Sequence, residues 1–239
     1  MEIALSDLDL MARIGDLTSS VAFERAHLSE AASFKGRIEL YRWVLAQVAG
    51  ADGLFLEFGV YKGDSINRLA ELKPEVTWYG FDSFVGLPEA WTLGAKAGAF
   101  STQGTRPAVR GNVRLVEGFF EDTLSAFVEQ QRASSVAVLH VDADLYSSTK
   151  TILENLKGLL VPGSIIIFDE LINYPGWQDG EYRAFMEYVD GNGIAFEYIG
   201  YNRTGSQVAV KLTRTASVTR AASSEAHLRY AAGLAPTTS

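Results

Sequence analysis

The sequence predicts an α/β protein built on a doubly wound, mainly parallel sheet. From about residue 54, short apolar runs alternate with segments of helical period, which is typical of a sheet covered by helices. Each run is almost continuously apolar, as expected for strands that are buried on both faces. The last two runs are separated by the turn-rich NRTGSQ, which indicates an antiparallel hairpin. A chain of 239 residues is consistent with a single domain.

Seven runs have the composition of strands. Five are predicted to be parallel and lie at 53–59, 76–82, 112–118, 136–142 and 163–169. The remaining two, at 194–201 and 208–212, form the predicted hairpin. The expected sheet therefore has seven strands, one of them antiparallel.

Helical segments are predicted between these strands at 65–72, 123–131, 148–160 and 181–189. Residues 1–52 read as a helical cap over the binding site, residues 53–213 as the core, and 214–239 as a peripheral tail. Residues 90–111 are rich in Gly and polar side chains, which fits a mobile active-site loop or an ordinary surface excursion.

Composition excludes several classes of partner. The formal net charge of -8 argues against a nucleic-acid backbone, and no apolar stretch reaches the roughly 20 residues of a membrane span. The first residues lack the order of a secretory signal, so we expect a cytoplasmic protein. Without cysteine, any metal must bind to oxygen or histidine, which favours hard cations.

The turn after the first parallel strand offers features of a ligand site. Gly59 and Gly63 permit close approach to the backbone, and Glu57 ends the strand. Ser65 lies near a helix N-terminus, where the carboxylate of an amino acid ligand would fit. The spacing is not the G-x-G-x-x-G of dinucleotide enzymes. A plain strand-to-helix turn is the alternative.

The next two strands extend this prediction. Asp82 ends the second strand, where an acid can accept both ribose hydroxyls, or serve only as a helix cap. Gly118 and Phe119 follow the third strand and offer a gap and a wall for a flat base. Phe119 and Phe120 are equally consistent with ordinary core residues.

Acidic residues follow the fourth and fifth strands. Asp142 and Asp144 lie at the end of one, and Asp169 and Glu170 at the end of the other. Carboxylates gathered in one crevice need protons, hydrogen bonds or a cation, and oxygen ligands suit Mg²⁺. Alternatively, Asp142 and Asp169 only anchor loops. His140, inside the strand, is expected to be a satisfied core residue.

Several runs together carry a family resemblance: EFGVYKGDS, GFDSFVGLPEAW, EGFFEDTL, HVDADLYSST and FDE. Over about residues 35–212 they resemble the class I S-adenosylmethionine-dependent methyltransferases, and within them the macrocin O-methyltransferase family. The resemblance implies a Rossmann-like fold with a methionine-binding turn, a ribose acid and an adenine pocket. The predicted cofactor-binding residues are Glu57, Gly59, Tyr61, Gly63, Ser65, Asp82, Ser83, Gly118, Phe119 and Asp142.

The resemblance also implies different roles for the four acids that follow the fourth and fifth strands. Asp142, Asp169 and Glu170 fall on the positions that bind a divalent ion in related enzymes, and Asp144 falls on the general base. Asp142 and Asp144 are thus the predicted catalytic residues. The chain departs from the family at Glu170, where Asp or Asn is more common, and this puts the metal requirement in question.

The resulting hypothesis is a Mg²⁺-assisted O-methyltransferase acting on a sugar or phenolic hydroxyl of a natural product, with a possible homodimer as the functional unit. A metal-independent N- or O-methyltransferase is the nearest alternative. A cofactor-binding module without catalysis, and a nicotinamide dehydrogenase on the same type of sheet, are further alternatives.

Overall fold

The computed structural model describes residues 7–48, 52–91, 94–131 and 135–214. The helices are α1 Leu8–His27, α2 Arg37–Ala46, α3 Asp64–Leu72, α4 Phe120–Gln130, α5 Tyr146–Asn155 and α6 Glu181–Asn192, with a 3₁₀ turn at Trp177–Asp179. The strands are β1 Ala32–Phe34, β2 Leu54–Phe58, β3 Trp78–Asp82, β4 Val113–Glu117, β5 Val136–Val141, β6 Ile165–Phe168, β7 Ala195–Asn202 and β8 Val208–Thr213.

The strands form one sheet in the order β1-β7-β8-β6-β5-β2-β3-β4. All pairs are parallel except those of β8 with β6 and β7, so the predicted fold class and its single antiparallel strand are confirmed. The order reverses between β5 and β2, and this reversal is where ligands bind in open α/β sheets.

The sheet has eight strands, one more than the predicted seven. The additional strand, β1, lies within the predicted helical cap and pairs in parallel with β7. It is only three residues long, too short to show strand periodicity, and it covers the edge that β7 would otherwise expose.

Hydrophobic side chains pack against both faces of the central strands. Every residue of β2 and β6 is buried, in agreement with their continuously apolar sequences. Helix α1 packs Phe23 edge-on against Trp177 and Tyr182. Among the described residues, no helix is long and apolar enough to cross a membrane. The predicted tail beyond Arg214 lies outside the described residues.

Backbone hydrogen bonds carry the parallel pairing past the strand ends. Gly59 N–H donates to the Phe81 carbonyl at 2.9 Å, Asp142 N–H to Phe58 at 2.9 Å, and Asp169 N–H to Val141 at 2.8 Å. The turns that follow β2, β5 and β6 are therefore held side by side at one edge of the sheet.

Candidate active site at the strand ends

A cavity of about 310 Å³ opens at this edge. It is lined by Arg37, Gly59, Tyr61, Asp82, Ser83, Gly86, Leu87, Pro88, Trp91, Phe100, Phe119, Phe120, Glu121, Asp142, Ala143, Asp144, Ser148, Asp169 and Glu170. Nine of these lining residues are among the residues that the sequence predicted for the site. The loop predicted at 90–111 contributes Trp91 and Phe100 to the wall, and the predicted cap contributes Arg37.

The turn between β2 and α3 requires glycine at its first position. Gly59 has φ +93°, and a Cβ added there would lie 1.7 Å from the Asp142 carbonyl oxygen. Because that carbonyl belongs to the turn after β5, only glycine lets the two turns approach so closely. This contact brings the predicted ligand turn against the acidic turn.

Asp82 ties the second strand end to the same turn. Its two carboxylate oxygens each accept a backbone N–H at 2.6 Å, one from Tyr61 and one from Phe84. The side chain nevertheless lines the cavity, and a carboxylate has lone pairs left for ligand hydroxyls. Asp82 therefore has the expected structural role, and its binding of ribose hydroxyls remains a prediction.

Four predicted cofactor-binding residues lie behind the cavity wall: Glu57, Gly63, Ser65 and Gly118 are not among the lining residues. Ser65 Oγ donates to Glu57 Oε1 at 2.9 Å, and Glu57 is fully buried. Gly118 N–H donates to the Asp82 carbonyl at 3.0 Å. These residues support the turns, whereas Phe119 and Phe120 face the cavity.

Three carboxylates converge in the cavity. Asp142, Asp144 and Glu170 each offer an oxygen within 4.8 Å of the others, close enough to bind one metal ion. Asp144 lies at the tip of a tight turn, with φ +60° and a Leu145 N–H to Ala143 carbonyl bond of 2.6 Å. Glu170 Oε2 is buried without a hydrogen-bond partner among the described residues.

Asp169, the third acid of the predicted metal set, faces a different group of partners. Its Oδ1 accepts from the Tyr41 hydroxyl at 3.4 Å, and its Oδ2 accepts from Gln207 Nε2 at 3.1 Å. His140 Nε2 lies 3.6 Å from Oδ1. Asp169 is thus hydrogen-bonded within the protein, and Asp144, the predicted general base, is the acid that lies with Asp142 and Glu170 in the three-carboxylate group.

His140 bridges the two halves of the site beneath the cavity. It is fully buried, with Nδ1 3.1 Å from Glu57 Oε2 and Nε2 3.0 Å from the Tyr41 hydroxyl. Burial opposes its charge, but the carboxylates of Asp169 and Glu57 outweigh burial and raise the pKa of His140 to about 10. It is therefore a hydrogen-bonded interior cation beneath the cavity.

Without a cation, the convergent acids bind protons more strongly than isolated carboxyl groups do. Burial, with the charges of Glu181 and Asp142, raises the pKa of Glu170 to about 11. Burial raises the pKa of Asp144 to about 6 and places the pKa of Asp142 well above its usual range. A divalent cation would relieve this repulsion, and an all-oxygen set suits Mg²⁺ or Mn²⁺.

Glu181 has a role that the sequence did not reveal. It is fully buried at the start of α6 and accepts backbone N–H groups from Glu170 at 3.1 Å and Ala143 at 3.5 Å. One side chain thus links the two acid-bearing turns. An acid in the first turn of a helix is a common capping pattern, and nothing in the sequence indicates which distant amides it meets.

The aromatic side chains near the acidic turns differ in whether they face the cavity. Trp91 lines the cavity and lies 6.1 Å from the ring of Tyr174. Trp177 is fully buried and donates to Ser19, so it is a core residue. The Tyr146 hydroxyl donates to Glu187 outside the cavity.

Comparisons with known proteins agree with this geometry. A family model described as a methyltransferase domain matches residues 56–171. Demethyldecarbamoylnovobiocin O-methyltransferase from Streptomyces niveus is 29% identical over 182 residues, covering 64% of this chain and 68% of that protein. An 8-demethyl-8-(2,3-dimethoxy-α-L-rhamnosyl)-tetracenomycin-C 4'-O-methyltransferase from Streptomyces olivaceus is 32% identical over 148 residues, covering 51% and 54%.

The fold comparison leads to the same class of protein. The crystal structure of a calicheamicin methyltransferase superimposes with a TM-score of 0.62 at 26% identity, covering 73% of this chain and 78% of the other. The matched segment, 56–171, contains the turn after β2, Asp82 and the four acids that follow β5 and β6, namely Asp142, Asp144, Asp169 and Glu170.

Proposed function

Since this chain is an S-adenosylmethionine-dependent methyltransferase, we propose that it methylates a hydroxyl group on the sugar or phenolic part of a small natural product, with the help of a divalent cation. The observation that carries the proposal is the contact of the Gly59 turn with the Asp142 turn, which places donor-binding backbone and converging carboxylates in one cavity. The two relatives support the acceptor class: by name, one is an O-methyltransferase of demethyldecarbamoylnovobiocin, and the other is a 4'-O-methyltransferase of a rhamnosyl-bearing tetracenomycin.

The donor is proposed to lie along the β3, β2 and β5 ends. There Asp82 would accept hydrogen bonds from the ribose hydroxyls, and Ser83, Phe119 and Phe120 would hold the base. Gly59, Tyr61 and Asp142 would hold the methionine portion. The turns are supported by four residues that do not line the cavity: Glu57, Gly63, Ser65 and Gly118. When bound, S-adenosylmethionine would supply an electrophilic methyl group: the acceptor oxygen bonds to the methyl carbon as its bond to sulfur breaks, S-adenosylhomocysteine leaves as a neutral thioether, and the acceptor hydroxyl gives up its proton.

The cation is proposed to bind Asp142, Asp144 and Glu170, the three acids that the geometry brings together. Its chemistry when bound is to hold the acceptor hydroxyl and lower the pKa of that hydroxyl. Asp144 keeps one carboxylate oxygen for the acceptor proton. Asp169, from the set implied by family resemblance, supports the site through Tyr41 and Gln207.

The function is tested by incubating the protein with methyl-labelled S-adenosylmethionine and a panel of glycosylated and phenolic acceptors, with and without EDTA. We expect label in an ether of one acceptor class and loss of transfer in EDTA that added Mg²⁺ restores. Full activity in EDTA would exclude the cation and leave the metal-independent alternative. Transfer to amines alone would exclude the O-methyltransferase.

Binding of Mg²⁺ should release protons. Because burial raises the pKa of Glu170 to about 11, this group is protonated at pH 7, and an incoming cation must displace the proton. We expect release of about one proton per ion and an affinity that rises with pH through the pKa of about 6 of Asp144. Calorimetry in Pipes and in Tris, whose ionisation enthalpies differ, measures the proton count; identical enthalpies in both buffers would contradict it.

Variants separate the proposed ligands from their neighbours. Glu170→Gln and Asp144→Asn should each weaken Mg²⁺ binding at least about tenfold, more than Asp169→Asn does. Glu121→Gln is the control, since Glu121 lines the same cavity but is not part of the three-acid group. If Asp169→Asn weakens Mg²⁺ binding more than Asp144→Asn does, Asp169 is a metal ligand and the proposed set is wrong.

A further inference from the structure

One basic residue faces the acidic cavity. Among the described residues that line it, Arg37 is the only lysine, arginine or histidine, beside Asp82, Glu121, Asp142, Asp144, Asp169 and Glu170. Its side chain is exposed, and within the described part of the chain it forms no ion pair. This guanidinium is therefore available to a ligand.

The position of Arg37 is fixed from within the core. Arg37 begins α2, and Tyr41 follows one helical turn later on the same face. Tyr41 is fully buried, with its hydroxyl 3.0 Å from His140 Nε2 and 3.4 Å from Asp169 Oδ1. Arg37 is close enough to Tyr41 and Asp169 to act on both electrostatically.

These contacts assign Arg37 to one end of the cavity. His140 connects Tyr41 to Glu57, which lies in β2 two residues before Gly59. The opposite end, where Asp82, Phe119 and Phe120 lie, follows β3 and β4. Arg37 acts on Asp169 at the end of β6, which lies across β5 and β2 from β3 and β4 in the sheet. Arg37 thus stands at the end of the cavity away from the expected base, on the side towards which the amino acid portion of the donor is expected to extend.

The donor's amino acid portion needs a cation at this end. It carries an ammonium, which suits the surrounding carboxylates, and a carboxylate, which those same groups would repel. Ser65, at the helix N-terminus where the sequence suggested a carboxylate site, is buried and donates its hydroxyl to Glu57. A planar guanidinium that forms two parallel hydrogen bonds is the matching partner for a carboxylate.

We propose that Arg37 binds the α-carboxylate of the methionine portion of the methyl donor. The proposal rests on the proposed function, because it requires the donor to occupy this cavity. It makes α2 part of the donor site and assigns to the N-terminal segment a recognition role in addition to covering the sheet edge.

Calorimetry with three ligands tests the proposal. S-adenosylhomocysteine has both charges, its decarboxylated analogue keeps only the ammonium, and 5'-methylthioadenosine lacks the amino acid portion. Wild-type protein, Arg37→Leu, Arg37→Lys and the control Arg42→Leu are compared. Arg42 is an exposed arginine of the same helix that does not line the cavity.

Arg37→Leu should weaken S-adenosylhomocysteine binding about 10- to 100-fold, the range for a charge-assisted hydrogen-bonded pair. Its affinities for the decarboxylated analogue and for 5'-methylthioadenosine should stay within about twofold of wild type, which also shows that the site remains folded. Arg37→Lys should recover part of the loss, and Arg42→Leu should match wild type.

Three results would overturn the proposal. Unchanged S-adenosylhomocysteine binding in Arg37→Leu would leave the guanidinium to an anionic group of the acceptor. An equal loss for all three ligands would mean a structural role. If wild-type protein binds none of the ligands, the proposed function itself fails, which is distinct from a failure of Arg37 alone.

Discussion

Replacing Asp144 by Asn should lower kcat by a factor of about 10² to 10⁴ while leaving the affinity for S-adenosylhomocysteine within about threefold of wild type. The variant retains the size of the side chain but cannot accept a proton at pH 7. Asn also tolerates the positive φ of +60° at this position, so the tight turn should persist. The loss should therefore appear in turnover and not in donor binding.

Single-turnover transfer from labelled S-adenosylmethionine measures this effect at saturating Mg²⁺, which compensates for weakened ion binding. Glu121→Gln is the matched control, because it removes an acid from the same cavity away from the three-acid group. Retention of wild-type kcat in Asp144→Asn would remove this residue from the chemistry and leave proton transfer to the solvent or to another acid.

Replacing Gly59 by Ala should lower the free energy of unfolding by about 3 to 5 kcal/mol, combining the cost of a positive φ with that of overpacking. The added methyl group would lie 1.7 Å from the Asp142 carbonyl oxygen and 2.8 Å from its carbonyl carbon, at φ +93°. Since both atoms belong to backbone at the end of β5, neither can move aside cheaply. Donor binding should be lost as well.

Alanine variants of two other glycines separate the cost of the positive φ from the cost of the close contact in the lowered free energy of unfolding. Gly104→Ala has φ +74° with no atom within 4 Å of the new methyl, so it should cost only about 1 to 2 kcal/mol. Gly191→Ala, in α6 with open space and an ordinary φ, should stabilise slightly. Urea unfolding of the three variants provides the comparison. If Gly59→Ala unfolds like Gly104→Ala, the close approach of the two turns is not present in solution.

The sequence was sufficient for most of the fold because the parallel strands are buried on both faces and read as continuous apolar runs. Strand β1 could not be predicted in this way, since Ala32, Ser33 and Phe34 are too few to show a pattern. The hairpin was evident from NRTGSQ between two apolar runs. Elements with long periodic patterns were thus predictable, and the short edge element was not.

The site was predictable to the extent that strand ends converge. Asp82, Asp142 and Glu170 could be placed near one another because parallel strands end at the same edge of a sheet. Sequence order could not show that Asp169 turns towards Tyr41 and Gln207 while Asp144 turns towards Glu170. The orientation of Asp169 depends on side chains from α2 and from the turn that precedes β8, which no local motif specifies.

Arg37 and Glu181 escaped prediction for a related reason. Each begins a helix, where a charged residue is ordinarily explained by the helix itself. Their roles follow from tertiary placement: Glu181 reaches the amides of two turns, and Arg37 lines an acidic cavity. A comparison of the charged residues that begin helices with the acids that end strands would have drawn attention to both residues.

The central claim is that the cavity at the strand ends binds the methyl donor, and calorimetric titration of S-adenosylhomocysteine tests it most directly. We expect saturable binding to wild-type protein, a loss of at least about tenfold in Asp82→Asn, and no change in the control Asp64→Asn, an exposed acid on α3. Absence of binding to the folded wild-type protein, or equal binding by wild type and Asp82→Asn, would contradict the account.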